Sequence, residues 1–95
     1  MLADGRRAGL TVREFQTFFA LADRPDRVIP RTEIYDIVWG GPMARRDRSV
    51  DVFVRKVRRK LSDVAPEWVY VHTHFGIGYR FAPEQAVTPA VDENP

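Results

Sequence analysis

The chain of 95 residues contains no cysteine. Disulfide bonds, thiolate nucleophiles, zinc fingers and iron-sulfur clusters are therefore excluded together. No run of residues approaches the roughly 20 apolar positions that a membrane-spanning helix needs, and the first five residues lack the pattern of a signal peptide. We therefore expect a soluble, cytoplasmic protein with no membrane partner.

Signs of catalysis are equally scarce. The sequence has no glycine-rich phosphate loop, no nucleophile elbow and no metal-spaced carboxylate cluster, and Ser49 stands alone at the start of a predicted helix. His72 and His74 share one face of a predicted strand, but no third metal ligand is evident near them. We expect neither an enzyme nor a cofactor, metal or small-molecule substrate.

Positive charge is concentrated in one segment. The net charge of the chain is only +2, yet residues 45–60 hold eight basic and two acidic side chains, a local charge of +6 that leaves −4 elsewhere. Such a run is often no more than a solvated helix face. Its concentration on one short element is nevertheless what a phosphate-binding surface needs.

Hydrophobic spacing predicts two helices before this segment. The first covers Thr11–Ala22, opened by a capping box between Thr11 and Glu14. The second runs from Pro30 to about Trp39, after a short apolar link at 28–29. The expected buried residues are Val12, Phe15, Phe19 and Ala22, with Phe18 beside them, in the first helix and Ile34, Ile37 and Val38 in the second.

The third predicted helix, about Arg48–Leu61, has an apolar and a basic side. Its buried stripe consists of Val50, Val54, Val57 and Leu61, with Phe53 at the edge. At about 100° per residue the opposite side carries Arg48, Val52, Arg55 and Arg59, with Lys56 close by. This periodicity favours an interaction surface over a merely solvated face.

Residues 68–82 have the composition of a β-hairpin. Aromatic and β-branched residues at 68–73 and 79–81 flank a turn that contains Gly76 and Gly78. Trp39, Trp68, Tyr70 and Tyr79 are expected in the core and hairpin, with base stacking as the alternative. We expect one domain over 1–83 and a disordered tail over 84–95.

The order of these elements, with Leu10-Thr11-Val12-Arg13-Glu14-Phe15 at one end and Gly76-Ile77-Gly78-Tyr79-Arg80-Phe81 at the other, resembles the OmpR/PhoB-type effector domain of two-component response regulators. Val38-Trp39-Gly40 and the basic helix belong to the same pattern. The resemblance implies an α+β winged helix-turn-helix fold with three helices and a C-terminal hairpin wing. It also implies a third helix in the major groove and a wing over the minor groove of double-stranded DNA.

The resemblance also implies roles for individual residues. Phosphate contacts fall to Arg48, Ser49, Arg55, Arg58, Arg59 and Thr73, and base contacts to Asp51, Val52 and Lys56. Lysine can donate to guanine, valine can pack on a thymine methyl, and aspartate can accept from cytosine. Because Asp51 precedes Arg55 by four residues, an ion pair between them is an equal alternative. Loop 41–47 becomes a site for RNA polymerase, and two copies bind direct repeats.

The chain departs from the family pattern at both ends. His74 and Phe75 stand at the wing tip, where many members have arginine, and we expect Phe75 to pack on the wing rather than to touch a sugar or wedge between bases. Ten residues before the first helix leave the N-terminal sheet shortened or absent. We interpret the chain as a sequence-specific regulator of transcription; the alternative is a winged helix that docks its basic face on an acidic protein.

Overall fold

The computed structural model describes residues 2–3, 6–7 and 9–86. Within them the chain forms two short strands, β1 (Leu2–Ala3) and β2 (Arg6–Arg7), and then three helices and three longer strands. In chain order these are α1 (Val12–Ala22), β3 (Val28–Pro30), α2 (Arg31–Trp39), α3 (Ser49–Val64), β4 (Trp68–His74) and β5 (Gly78–Gln85). Strands β1 and β2 pair antiparallel over two residues each.

Helix α1 begins where the capping box predicts but buries a different side. The Thr11 amide donates to Glu14 Oε1 at 2.8 Å, and the Glu14 amide donates to the Thr11 hydroxyl at 3.2 Å. The expected stripe is wrong, because Val12 and Phe19 are 76% and 50% exposed. The buried residues are Glu14, Thr17, Phe18, Ala20 and Leu21. Two of these are polar, so hydrophobicity alone pointed to the neighbouring stripe.

The predicted apolar link before α2 is strand β3. It pairs antiparallel with β5, with Ile29 opposite Tyr79, so the sheet has the order β3-β5-β4. In α2, Ile34 is fully buried, whereas Ile37 is 41% exposed, contrary to expectation. A three-residue strand has no periodicity to read, and its partner lies about 50 residues further along the chain.

Helix α3 supplies one wall of the core, as its spacing predicts. Val50, Val54, Val57 and Leu61 are each no more than 3% exposed, and the helix extends to Val64. They pack with Leu21, Ile29, Ile34 and Val71 from the other elements. Of the helices in the described ranges, none has the length and apolar character to cross a bilayer.

Strands β4 and β5 form the predicted hairpin, which is longer than expected. Strand β5 continues to Gln85, which pairs with Trp68, and the Ala86 amide donates to the carbonyl of Glu67 at 2.8 Å. The predicted tail therefore starts too early, because β4 pairs with residues 84–85 and the Glu67 carbonyl accepts from the Ala86 amide. The rest of that prediction, residues 87–95, lies outside the described part of the chain.

A glycine is required at position 78, where β5 pairs with β3. A Cβ atom built on it would lie 2.0 Å from the carbonyl oxygen of Ile29, which is backbone and cannot rotate away. We expect Gly78→Ala to lower the free energy of unfolding by about 1–3 kcal/mol, as overpacking does, in urea titrations followed by tryptophan fluorescence. Gly76→Asn is the control, since Gly76 has φ +79° and open space around it and asparagine tolerates that conformation. Equal losses for both variants would contradict the steric argument.

Candidate nucleic-acid interface

The solvent side of α3 and its N-cap carry five cations, Arg48, Arg55, Lys56, Arg58 and Arg59, which together with Val52 we call the basic face. All are exposed except Val52, which is half-buried. The buried valine and leucine stripe fixes which side of the helix faces outward. The sequence therefore placed these residues correctly, and the structure brings five cations to one surface.

Lys60 is not part of this surface, although it belongs to the same basic run. Its ammonium donates to Glu14 Oε1 at 2.7 Å and to the carbonyl of Gly9 at 3.1 Å. Burial of Glu14 pushes the pKa of its carboxyl up, but the bonds from Lys60 and Thr11 outweigh burial and hold that pKa below its usual value. The Lys60 charge thus compensates a buried carboxylate on α1.

Asp51 connects three elements near the start of α3. Its Oδ1 accepts from Arg31 Nε at 2.8 Å and from the hydroxyl of Tyr79. Burial pushes the pKa of Asp51 up, but the Tyr79 and Arg31 hydrogen bonds bring it below the usual value. Burial, reinforced by the bond to Asp51, raises the pKa of Tyr79 to about 12. The ion-pair partner of Asp51 is therefore Arg31, so the alternative of an ion pair with Arg55 is wrong.

Sequence reasoning missed Arg31 and assigned Tyr79 only to the core. Tyr79 is indeed buried, at 6% exposure, but its hydroxyl also reaches Asp51. Arg31 lies 20 residues before Asp51, too far for any local spacing rule to connect them. The only available signal was a basic residue at the first position of α2, opposite to what the helix dipole favours there.

Two further contacts order the first half of α3. The Ser49 amide donates to the Asp47 carboxylate at 2.8 Å, which satisfies an amide of the first turn. Lys56 Nζ lies 4.9 Å from the ring centroid of Phe53, and that ring meets Trp39 edge-on. Trp39 is half-buried, so this aromatic cluster joins α2 to α3 and supports Lys56.

A groove of about 400 Å³ separates α3 from the wing, and Arg55, Arg58, Thr73 and Phe75 are among its lining residues. Arg58 Nη1 donates to the hydroxyl of Thr73, which joins helix and hairpin. Phe75 is 89% exposed, so the expectation that it packs on the wing is wrong. The turn places its ring beyond the sheet, where no neighbouring strand can cover it.

The two histidines lie on the wing but have separate partners. His74 Nε2 accepts from Arg80 Nε at 3.1 Å, whereas His72 Nε2 lies 2.8 Å from the carbonyl of Ala82. Among residues of the described ranges, no group of three metal-ligating side chains occurs. Of the remaining hairpin aromatics, Tyr70 is half-buried and Trp68 is 37% exposed; their rings stack 6.4 Å apart.

An exposed basic helix that follows a second helix and lies beside a β-hairpin defines a winged helix-turn-helix domain. The family model described as "Transcriptional regulatory protein, C terminal" matches residues 5–81. The chain belongs to this family, the OmpR/PhoB-type regulators, which is a family of transcription regulators and not of enzymes.

Relatives and solved structures agree with this assignment. The chain is 36% identical over 80 residues to ResD of Bacillus subtilis and 32% identical over 91 residues to SrrA of Staphylococcus aureus. These matches cover 83% and 95% of this chain but only 33% and 38% of the relatives, so the chain spans little more than a third of their length.

The DNA-binding domain of Klebsiella pneumoniae RstA, solved in complex with the RstA box, has the same fold, with a TM-score of 0.72 and 31% identity. That likeness covers 82% of this chain and 77% of the RstA chain. The DNA-binding domain of CpxR from E. coli has a TM-score of 0.71 at 29% identity, over 82% of this chain and 76% of that chain.

The Asp51 contacts predict an acid-sensitive fold. Because the pKa of Asp51 is lower in the folded chain, its carboxylate stabilises the fold above the unfolded value of about 3.8, and this contribution is lost as pH falls through the folded value. We expect Asp51→Asn to cost about 1–3 kcal/mol at pH 7, since it weakens bonds to a charged group.

The measurement is urea unfolding of wild type and Asp51→Asn between pH 7 and pH 2. The variant should lose less stability on acidification than the wild type. Asp63→Asn removes an exposed carboxylate from the same helix and serves as the control. Identical acid losses in the wild type and Asp51→Asn would show that the Asp51 charge does not stabilise the fold.

Proposed function

We propose that this chain binds double-stranded DNA sequence-specifically and regulates transcription in the cytoplasm as the effector part of a response regulator. The observation that carries the proposal is the basic face, five exposed cations on one helix with a rigid apolar back. Phosphates of a duplex attract such a face whatever the sequence, and an α-helix fits the major groove. Membership in the regulator family and the likeness to RstA, solved with its DNA box, support this function.

Within this proposal the basic face, together with Ser49 and Thr73, divides into two groups. Arg48, Ser49, Arg55, Arg58, Arg59 and Thr73 contact phosphates and position the domain, whereas Val52 and Lys56 meet base edges. Both described bonds of Asp51 fall on Oδ1, so a contact from Asp51 to a cytosine amine would use Oδ2. The position of Lys56 over Phe53 supports base reading, since an anchored ammonium discriminates better than a mobile one.

Substitutions on α3 should separate the two groups. We expect Lys56→Ala to cost about 1–3 kcal/mol of binding mainly where a guanine is read, and Arg55→Ala to weaken all duplexes alike while lowering the salt slope by about 1. The measurement is fluorescence anisotropy on an enriched duplex and a random duplex at two salt concentrations. Arg24→Ala is the charge-matched control, because Arg24 bonds to the Ala20 carbonyl on α1.

Each result has a definite meaning. An equal loss on enriched and random DNA for Lys56→Ala would exclude Lys56 as a base reader. Salt-dependent binding of the wild type without any sequence preference would contradict sequence-specific regulation and leave the docking of an acidic protein as the function.

Loop 41–47 is the proposed contact for RNA polymerase. It lies between the two helices of the motif, and Arg45 and Arg46 on it are exposed. One helix and one wing read a half-site, so two copies should occupy direct repeats. We expect Arg45→Ala with Arg46→Ala to reduce transcription in vitro from a promoter with the enriched repeats while occupancy changes less than twofold. A parallel loss of occupancy would assign these arginines to DNA instead.

A further inference from the structure

The wing tip presents an apolar surface to solvent. Phe75 is 89% exposed and Ile77 is 58% exposed, and both belong to the turn between β4 and β5. Exposed apolar patches with polar rims mark interaction sites, and Phe75 and Ile77 lie two residues apart in one turn. The wing tip therefore presents the aromatic ring of Phe75, and not a cation that could contact a phosphate.

The base of the turn is held on both strands. The Ile77 amide donates to the carbonyl of His74 at 2.9 Å, and the His74 ring accepts from Arg80. Arg80 also pairs with Asp26 at 3.3 Å. The Phe75 ring thus projects from a fixed support, which limits the entropy that it loses on binding.

The position of the wing tip beside α3 indicates which groove of a DNA duplex it contacts. The groove between α3 and the wing is lined by Arg55, Arg58 and Thr73, which are donors that suit a phosphate ridge. In B-form DNA each phosphate ridge separates a major from a minor groove. With α3 in the major groove, the far side of that ridge is a minor groove, and Phe75 lines the wing side of the groove, next to that minor groove.

We propose that Phe75, supported by Ile77, inserts into the minor groove as an apolar wedge, unstacks a base step and bends the duplex; this inference rests on the proposed DNA-binding function. A phenyl ring has no hydrogen bond to offer to base edges, so its selectivity comes from the ease of deforming a step. Pyrimidine–purine steps unstack most easily, and apolar wedges in the minor groove act on such steps. The chain therefore selects a flexible step next to the bases that α3 reads.

The test uses the full chain and a duplex that the wild type enriches from a random library. 2-Aminopurine is placed in turn at each position flanking the α3 site, and its fluorescence reports unstacking, while energy transfer between dyes on the duplex ends reports bending. A pyrimidine–purine step at the responding position is then replaced by a stiff A-tract.

The wild type should raise 2-aminopurine fluorescence at one flanking step and bend the DNA. Phe75→Ala should abolish both signals and weaken binding roughly tenfold on the flexible duplex, a loss of about 1.4 kcal/mol, with a smaller effect on the A-tract duplex. Phe75→Leu should retain part of each signal. Phe19→Ala removes another exposed phenylalanine, 50% exposed on α1, and should change neither.

Three results would overturn the wedge. Unchanged affinity and bending for Phe75→Ala would assign the tip to a protein contact. An equal loss on both duplexes without a 2-aminopurine signal would show packing on a sugar instead. Failure of the wild type to enrich any duplex would refute the proposed function itself, which distinguishes that failure from a failure of the wedge alone.

Discussion

The geometry of the basic face and the wing depends on the hydrogen bonds that the Asp51 carboxylate accepts. It joins Arg31 at the start of α2 and Tyr79 on β5 to the first turn of α3. A half-buried carboxylate with charged and neutral donors contributes more through the orientation that it imposes than through its net energy, because desolvation offsets much of the attraction. Asp51 thereby holds α2, α3 and the wing in one arrangement.

A single run of basic residues serves two purposes in this chain. Lys60 compensates the buried Glu14 carboxylate and ties α3 to the start of α1, whereas Arg55, five residues earlier and on the other side of the helix, stays exposed. Helical geometry separates the two purposes, since residues five apart lie about 140° from each other. The net charge of the run therefore overstates the charge that remains on the exposed surface.

The sequence-based predictions are wrong where polar residues are buried or apolar residues are exposed. In α1 the stripe with Phe15 and Phe19 is the more apolar, yet the core receives the side with Glu14 and Thr17. A buried carboxylate is favourable only when its partner is near, and Lys60 lies 46 residues away. The error at Phe75 has the same origin, because nothing in its neighbours along the chain says whether a strand will cover the ring.

Local order along the chain was enough to determine the capping box at Thr11, the buried face of α3, the hairpin and hence the fold class and the basic face. The helix face and the strands follow the period of their own element, and the capping box spans only four residues. None of these features needs a distant partner. Only the tertiary structure decided which basic residues remain free, that β3 completes the sheet, that Asp51 bonds to Arg31, and that Phe75 projects from the wing. Each of these depends on residues brought together from remote parts of the chain, which no local pattern encodes.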